Sequence, residues 1–500
     1  MPPFFYYLLV SVYSFLFTIF AQNNLYMKKN LLVLGIFFGI AFSASAQNSS
    51  LWGMTQGGGS KALGNIFKYR PGMAADSDVY DFAGWYGANP YGSLFQASDG
   101  LLYGTTQQGG PGSVNYGLYF NIDPVSGTYN VVYNFDSVHG SYPTGGLMQA
   151  SNGLLYGMTY YGGPKNFGVI FSYDISTGKD SVVYYFDSIH GRWPNGSLIQ
   201  AKDSLLYGMC NGGGPVDGGV IFSLNTKTGQ EKVLANLIGS NGNWPIGDLV
   251  QAPNGLLYGM TNAGGANNDG VLFAYNPKTG KDSVKVVFNG VNGGWPYGSL
   301  IVASNGLLYG VTQIGGTKKL GAVFSYNTAA NKYTVEASFD SAKHAAYLPI
   351  GSLVQAPDGL LYGMTNAGGP GNNGSIFQFD PLTNKDSVDT YFNGVNGQLP
   401  QYGSLIVLGG STVGIPTIST HKDNTQIYPN PFTNSTLVSF NQPGKHYLEI
   451  LDITGKIISN TECNGKEYTL SRNSLSTGVY FVRVFDESKH LVSVNRVVVE

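Results

Sequence analysis

The tripeptide Leu-Tyr-Gly, Leu-Trp-Gly in its first occurrence, recurs with its aromatic residue at Trp52, Tyr103, Tyr156, Tyr207, Tyr258, Tyr309 and Tyr362. The steps are 51, 53, 51, 51, 51 and 53 residues. A fixed period near 50 means one supersecondary unit repeated in space, and no other feature narrows the possible folds as much. The unit is typified by Gly247-Asp-Leu-Val-Gln-Ala-Pro-Asn-Gly-Leu-Leu-Tyr-Gly-Met-Thr-Asn-Ala-Gly-Gly265.

Each period holds four strand-like pieces, which in the third full copy span residues 197–201, 205–210, 219–224 and 231–237. Asp99-Gly100, Asn152-Gly153, Asn254-Gly255, Asn305-Gly306 and Asp358-Gly359 separate the first two pieces. Asx-Gly pairs accept positive φ at little steric cost and favour a tight antiparallel hairpin. The third copy departs from this, with Asp203-Ser204. The third piece carries Gly-x-apolar-Phe, ending at Phe67, Phe120, Phe171, Phe222, Phe273, Phe324 and Phe377. These aromatics, repeated at every copy, are expected to pack unit against unit. Gly104 and its equivalents are expected where backbones crowd near a central channel.

Glycine at 71 positions and tyrosine at 35, with only 11% charged residues, suit short strands joined by tight turns, an all-β chain. Four antiparallel strands repeated seven times predict a seven-bladed β-propeller over residues 47–408. The first copy enters at Leu51-Trp52-Gly53, a second strand without a first, and residues 402–407 read as a first strand without a second. The last strand is therefore expected to complete the first sheet, a terminal-strand closure that leaves no blade edge beside a gap.

A net charge of −2 offers no field for nucleic acid. Cys210 and Cys463, far apart and in no C-x-x-C spacing, indicate neither a disulfide framework nor a zinc site, and no metal or cofactor is expected. Residues 1–46 read as a targeting region. Within it, Met27-Lys28-Lys29, the apolar stretch 31–42 and Ala44-Ser45-Ala46 form a signal peptide cut after Ala46. Residues 1–26 read as a mis-called start, with a membrane anchor as the rival reading.

The connection between units carries proline in all seven copies, preceded by Asn89, Tyr142, Trp193, Trp244, Trp295, Leu348 and Leu399. An antiparallel unit puts this loop on the same face as the Gly-Gly loop after its second strand. Tyr142, Trp193, Trp244 and Trp295 are the candidate ligand-binding residues: aromatic faces beside the Asn- and Gly-rich loops 262–269 and 366–373 could stack on sugar rings. The alternative is that these rings cover the apolar tops of the seams. His139, His190 and His344 fall in the same connecting loops without metal-ligand spacing, and Asp136, Asp187 and Asp340 just before them suit turn formation. No nucleophile elbow, phosphate loop or calcium loop appears, so no catalytic residue is assigned. A non-catalytic binding or adhesion module is the expectation, with carbohydrate the leading ligand class. The alternative is a glycan-active hydrolase or lyase with its site at the channel mouth.

Residues 409–426 read as a linker. The tail, 427–500, has a different alternating pattern, with strands expected at 436–441, 447–453, 456–462, 466–471, 478–486 and 491–499, a small immunoglobulin-like sandwich.

The Leu-Tyr-Gly-x-Thr copies with a Gly-Gly loop and Gly-Ser-Leu-x-x-Ala resemble the GloVer-type tandem repeat, a propeller-like repeat of secreted bacterial proteins, over residues 51–408. The double glycine also loosely resembles kelch blades. Neither resemblance brings catalytic residues. Tyr428-Pro429-Asn430-Pro431, Leu451-Asp-Ile-Thr-Gly-Lys456 and Leu475-Ser-Thr-Gly-Val-Tyr480 resemble the type A C-terminal sorting domain of the type IX secretion system. That resemblance implies passage through the periplasm of a Bacteroidota-like cell, recognition by an outer-membrane translocon, and clipping by a surface sortase. The implied destination is the outer-membrane surface or the medium. The partners expected are the translocon and sortase through 427–500, with glycan as a further candidate. Membrane contact is expected only through the targeting segment or surface attachment.

Overall fold

A computed structural model describes residues 49–72, 77–111, 115–341, 346–401, 403–409 and most of 425–499. The targeting region with Ala46, the residue His344, and nearly all of the linker lie outside the described residues. The chain divides into two compact units, residues 1–412 and 413–500. Among the described residues every named element is a strand, in eight sheets built by antiparallel pairing, seven in the first unit and one in the second.

The fourth sheet shows how the sequence makes the unit. Its strands Ile199–Gln200, Leu206–Gly212, Val220–Asn225 and Gln230–Asn236 pair in chain order. Arg192–Pro194 also pairs with the second strand, Arg192 opposite Gly212 and Pro194 opposite Cys210. The proline segment is thus an outer extension of the first strand rather than a bare connection. In the seventh sheet the two pieces are one strand, Ala346–Gln355, with a register shift between Ile350 and Val354. A bulge there absorbs the extra residues without giving up the pairing on either side.

The Asx-turn fixes more than the hairpin. Asp99, Asp203 and Asp358 accept a hydrogen bond from the buried tyrosine four residues on, as in Tyr207 Oη to Asp203 Oδ2 at 2.6 Å. Asn152, Asn254 and Asn305 donate to the corresponding hydroxyl at 2.9 Å. Each Tyr of Leu-Tyr-Gly can therefore be buried with its polar tip satisfied. At the departing turn, Ser204 takes the left-handed φ of 68° that glycine holds elsewhere. That conformation costs a residue with a Cβ about 1–2 kcal/mol. Ser204→Gly is therefore expected to stabilise the first unit by about 1 kcal/mol in urea unfolding, whereas Gly255→Ser, at φ 83°, should cost a similar amount.

The glycine of Leu-Tyr-Gly is required for a reason different from backbone crowding. A Cβ at Gly208 would lie 2.6 Å from Phe222 Cζ and 2.9 Å from Leu198 Cδ2. The same Phe–Leu pair meets Gly53, Gly104, Gly157, Gly259, Gly310 and Gly363 in their own sheets. The ring of Gly-x-x-Phe lies over the glycine, so sequence motif and packing are one feature.

Among the described residues of the first unit, six apolar clusters are each shared by two consecutive sheets, and a seventh is shared by the seventh sheet and the first. At most seams a phenylalanine just after the fourth strand meets the Gly-x-x-Phe ring of the next sheet: Phe82 with Phe120, Phe135 with Phe171, Phe186 with Phe222, Phe288 with Phe324, and Phe339 with Phe377, at 5.0–5.9 Å. Phe392 of the seventh sheet meets Phe67 of the first in the same way, at 5.2 Å. The expected terminal pairing is present: Leu51 lies opposite Val407 and Trp52 opposite Ile406. Gly57 and Gln398 exchange two backbone hydrogen bonds beyond it, at 3.0 and 3.1 Å.

Glycines at the start of each unit touch from sheet to sheet. A Cβ on Gly92 would meet Gly145; Gly145 would meet Gly196, Gly196 would meet Gly247, Gly247 would meet Gly298, Gly298 would meet Gly351, and Gly403 would meet Gly92. The residue after each continues the stitching, as in Asp248 N–H to Ser299 Oγ at 2.7 Å and Ser299 N–H to Ser352 Oγ at 2.8 Å.

In the second unit, strands Gln426–Tyr428, Ser435–Leu451, Ile457–Ser471, Gly478–Phe485 and Leu491–Val499 form one sheet. Two pairs of expected strands are each a single long one, because register shifts between Ser439 and Gly444 and between Ile450 and Leu451 absorb the irregular residues. Val438, Leu448, Ile450, Val482, Val484 and Val497 supply its core.

Candidate functional site

The seven residues before proline occupy one repeated position, and the structure gives all of them a left-handed backbone. The φ values are 53° at Asn89, 54° at Tyr142, 56° at Trp193, 52° at Trp244, 51° at Trp295, 57° at Leu348 and 50° at Leu399. Each N–H donates to a carbonyl in the loop between the second and third strands of the sheet just left, as in Trp193 to Phe167 and Trp244 to Gly218, both 2.8 Å. The following proline packs its Cδ on a glycine of that loop, Pro194 on Gly168 and Pro245 on Gly219. These contacts hold a conformation that otherwise costs a bulky residue about 1–3 kcal/mol.

Farther back in the same connecting loop, a carbonyl accepts from the Gly-Gly loop of the next sheet: Gly214 N–H to Ser188, Gly265 to Gly239, Gly316 to Val291, at 2.8–3.1 Å. Both loop sets therefore lie at one end of the sheets, and Tyr142, Trp193, Trp244 and Trp295 all sit there.

They are not equivalent in access. The Arg192 guanidinium lies 3.9 Å from the Trp193 ring centre, and Tyr160 stacks on that indole at 6.0 Å with planes 7° apart. Tyr142 meets Tyr161 edge-on. Trp244 and Trp295 have no such partner among the described contacts and are 50% and 42% exposed. The register of Asn243 on Ala263 and Pro245 on Thr261 sets Trp244 opposite Asn262. The Asn262 amide nitrogen is buried without a protein hydrogen-bond partner among the described residues. Four connecting loops, residues 82–92, 237–247, 288–299 and 392–405, contain no charged residue.

The charged chemistry of this end is elsewhere. A cleft of about 620 Å³ is lined by His190, Arg192, Gly214, Asp217, Val233 and Asn236 among others. Arg192 makes a two-pronged ion pair with Asp217, with Nε to Oδ1 at 2.8 Å. His139 and His190 pair through Nδ1 with Asp136 and Asp187 at 2.7 and 2.9 Å, and each backbone N–H donates to the same carboxylate. Both aspartates are thus turn-forming. Burial pushes each upward, but the histidine N–H and imidazole more than offset it, so both lie below the usual 3.8. A carboxylate held low contributes stability above its ordinary pKa and loses it as pH falls through the depressed one. The double variant Asp136→Asn, Asp187→Asn should therefore show a smaller drop in thermal midpoint between about pH 5 and pH 3 than the parent chain.

Other acids belong to the seams. Asp180 accepts from Tyr119 Oη at 2.8 Å across one seam, and Asn241 Nδ2 donates to Asp282 at 2.9 Å across another. Burial raises Glu231, in the equivalent strand position, to about 7, although the Tyr184 hydroxyl opposes the shift. Among the described residues no group of three or more His, Cys, Asp or Glu side chains is placed to hold a metal. Asp248 departs from the serine found at most equivalent positions. Its carboxylate accepts from Ser197 N–H, and desolvation raises its pKa.

The Gloeobacter/Verrucomicrobia repeat model matches residues 39–216 and 190–355. The chain belongs to the Gloeobacter/Verrucomicrobia repeat family. The secretion-system C-terminal sorting domain matches residues 426–500 of this repeat protein, which marks it for export by the type IX system to the cell surface or the medium. No curated protein sequence is similar to it at a significant level. Among solved structures, a candidate 6-phosphogluconolactonase of Bacteroides uniformis is 14% identical, with 72% of this chain and 98% of the other covered at a TM-score of 0.47. A puromycin-hydrolyzing peptidase of Mycobacterium tuberculosis is 9% identical, with 81% and 59% covered at 0.45. A fungal alcohol oxidase is 11% identical, with 82% and 98% covered at 0.41. Likeness at these levels carries no activity over to the repeat protein.

Proposed function

We propose that the first unit is a closed seven-bladed β-propeller acting as a non-catalytic carbohydrate-binding module, and that the second is an immunoglobulin-like sorting sandwich. Supporting closure are the shared apolar clusters, with Phe67 and Phe392 at the last seam, and the pairing of residues 406–408 with 50–52. A signal peptide at 27–46, cut after Ala46, would deliver the chain to the periplasm for the type IX step. Residues 47–408, 409–426 and 427–500 are then propeller, linker and sorting domain.

One observation supports the binding reading above the others: Trp244 and Trp295, at the same position of consecutive units, present half-exposed indoles on backbones locked by hydrogen bonds. A rigid ring loses little entropy on stacking against a pyranose face. Tyr142 and Trp193 complete the row, Trp193 already engaged by Arg192 and Tyr160. The test is a glycan array followed by titration of the best soluble oligosaccharide. Trp244→Ala with Trp295→Ala should weaken binding at least about tenfold, roughly 1.4 kcal/mol, at unchanged thermal midpoint. Equal affinity in the double variant, or no glycan bound by the parent chain, would end this reading.

A further inference from the structure

The exposed large apolar residues of the first unit are segregated. Among the described residues, all but Val125, Tyr185 and Leu382 sit in the loops at the end that carries Trp193, Trp244 and Trp295. Among the described residues, five connecting loops place one at the same turn position, Trp85, Val138, Ile189, Val291 and Val395, and a sixth exposes Ile238 two residues earlier in its turn. Ile189 and Val291 are each 73% exposed, more than an incidental surface aliphatic needs to be.

The tips are built to be held outward. In Asn289-Gly-Val-Asn292, the N–H groups of Val291 and Asn292 donate to Asn289 Oδ1 at 3.0 and 2.9 Å. Asn289 N–H donates back to Asn292 Oδ1 at 3.0 Å. Asn393-Gly-Val-Asn396 repeats the arrangement, and Asp187 does the same for the Ile189 tip through His190 N–H at 2.9 Å. Side chains of different chemistry, Asn or Asp with His, thus produce one outcome, an aliphatic residue standing on a locked turn.

We propose that this end is a multi-point docking surface for an extended, uncharged polysaccharide surface, several chains side by side, rather than for the end of one soluble chain. The proposal rests on the carbohydrate reading above and names its substrate class. Four of the connecting loops lack any charge, so the tips Trp85, Val291 and Val395 bring no positive charge of their own toward anionic lipid or a charged polymer; the charges of this end, Lys165, Arg192, Asp217, Lys318 and Lys319 among them, lie in the other connecting loops and the Gly-Gly loops. Valine and isoleucine on short tips reach too little depth for membrane insertion, which uses long apolar faces flanked by Lys or Arg. They suit the apolar face of a flat array of sugar rings. Repetition around the unit converts weak contacts into avidity, which only a surface can satisfy at several points together.

The experiment uses the full chain without its targeting region, in co-sedimentation with insoluble cellulose, chitin and β-1,3-glucan, and in titration with soluble oligosaccharides of each. Ile189→Ser, Val291→Ser and Val395→Ser are combined in one variant whose thermal midpoint is compared with the parent. The triple variant should lose about tenfold in partition onto the insoluble polymer and keep its affinity for the soluble one. Raising salt from about 0.05 to 0.5 M should change partition less than about twofold. Unchanged partition of the triple variant overturns the proposal. So does partition onto phosphatidylcholine vesicles instead, or a concentration-dependent dimer that the variant abolishes. If the parent chain binds soluble oligosaccharide and no insoluble polymer, the surface proposal fails while the carbohydrate reading stands; if it binds neither, both fail.

Discussion

Deleting residues 403–408 is expected to abolish the cooperative unfolding transition of the first unit or shift it by more than about 3–6 kcal/mol. Leu405 and Leu408 are buried against the first sheet, and burying two leucines contributes about that much. The deletion also strips Ser50–Trp52 of its partner strand and removes the Ser404 N–H to Ser93 Oγ bond. The bared edge Ser50–Thr55 is buried at every position, so it becomes a row of unpaired N–H and C=O groups flanked by apolar side chains. Such an edge recruits other chains. Sedimentation should show concentration-dependent aggregation, and urea unfolding should show an early midpoint. A chain ending at residue 412, which keeps those six residues, is the control. If the deleted chain unfolds like that control, the terminal pairing does not hold the sheets together.

Gly298→Ala and Gly280→Ala make the same chemical change and should differ several-fold in cost. A Cβ at Gly298 would overlap the carbonyl oxygen of Gly351 on the neighbouring sheet, and backbone cannot rotate away as a side chain can. The sheets would have to part, at a cost of at least about 3 kcal/mol. At Gly280 a Cβ meets nothing within 4 Å, so only the left-handed φ of 68° opposes it, at about 1 kcal/mol. Parallel urea titrations decide the matter. Equal losses would mean that these glycines are not in contact from sheet to sheet.

The strand plan was legible in the sequence because its signals are local. Asx-Gly dictates a hairpin, and Gly-x-x-Phe recurs wherever a ring covers a glycine. Even the pairing of residues 406–408 with the first sheet could be read, since an unmatched first strand needs a vacant sheet. The Tyr hydroxyl on the turn Asx escaped notice although the spacing of four residues was in plain view. The two long tail strands read as four in the sequence, since Pro443-Gly444 in one and Asn464-Gly465 in the other are turn residues that a register shift accommodates as well.

The rim is the opposite case. Tyr142, Trp193, Trp244 and Trp295 stand alike in the sequence, but only contacts from separate elements distinguish them. Tyr160 follows the second strand of the preceding unit, and Asp217, which orients Arg192, lies 25 residues beyond it. Nor does a residue before proline announce a left-handed φ; a carbonyl from the loop behind it imposes that.

The sequence by itself determined the repeat, the four-strand unit, the all-β class and the sorting tail, since each is written in residues close along the chain. The tertiary structure alone decided which indoles are free, which acids serve the seams, and that the aliphatic loop tips share one end. The physical reason is distance. Period and turn chemistry act within a few residues, whereas exposure and pairing arise only when units some fifty residues apart are brought edge to edge.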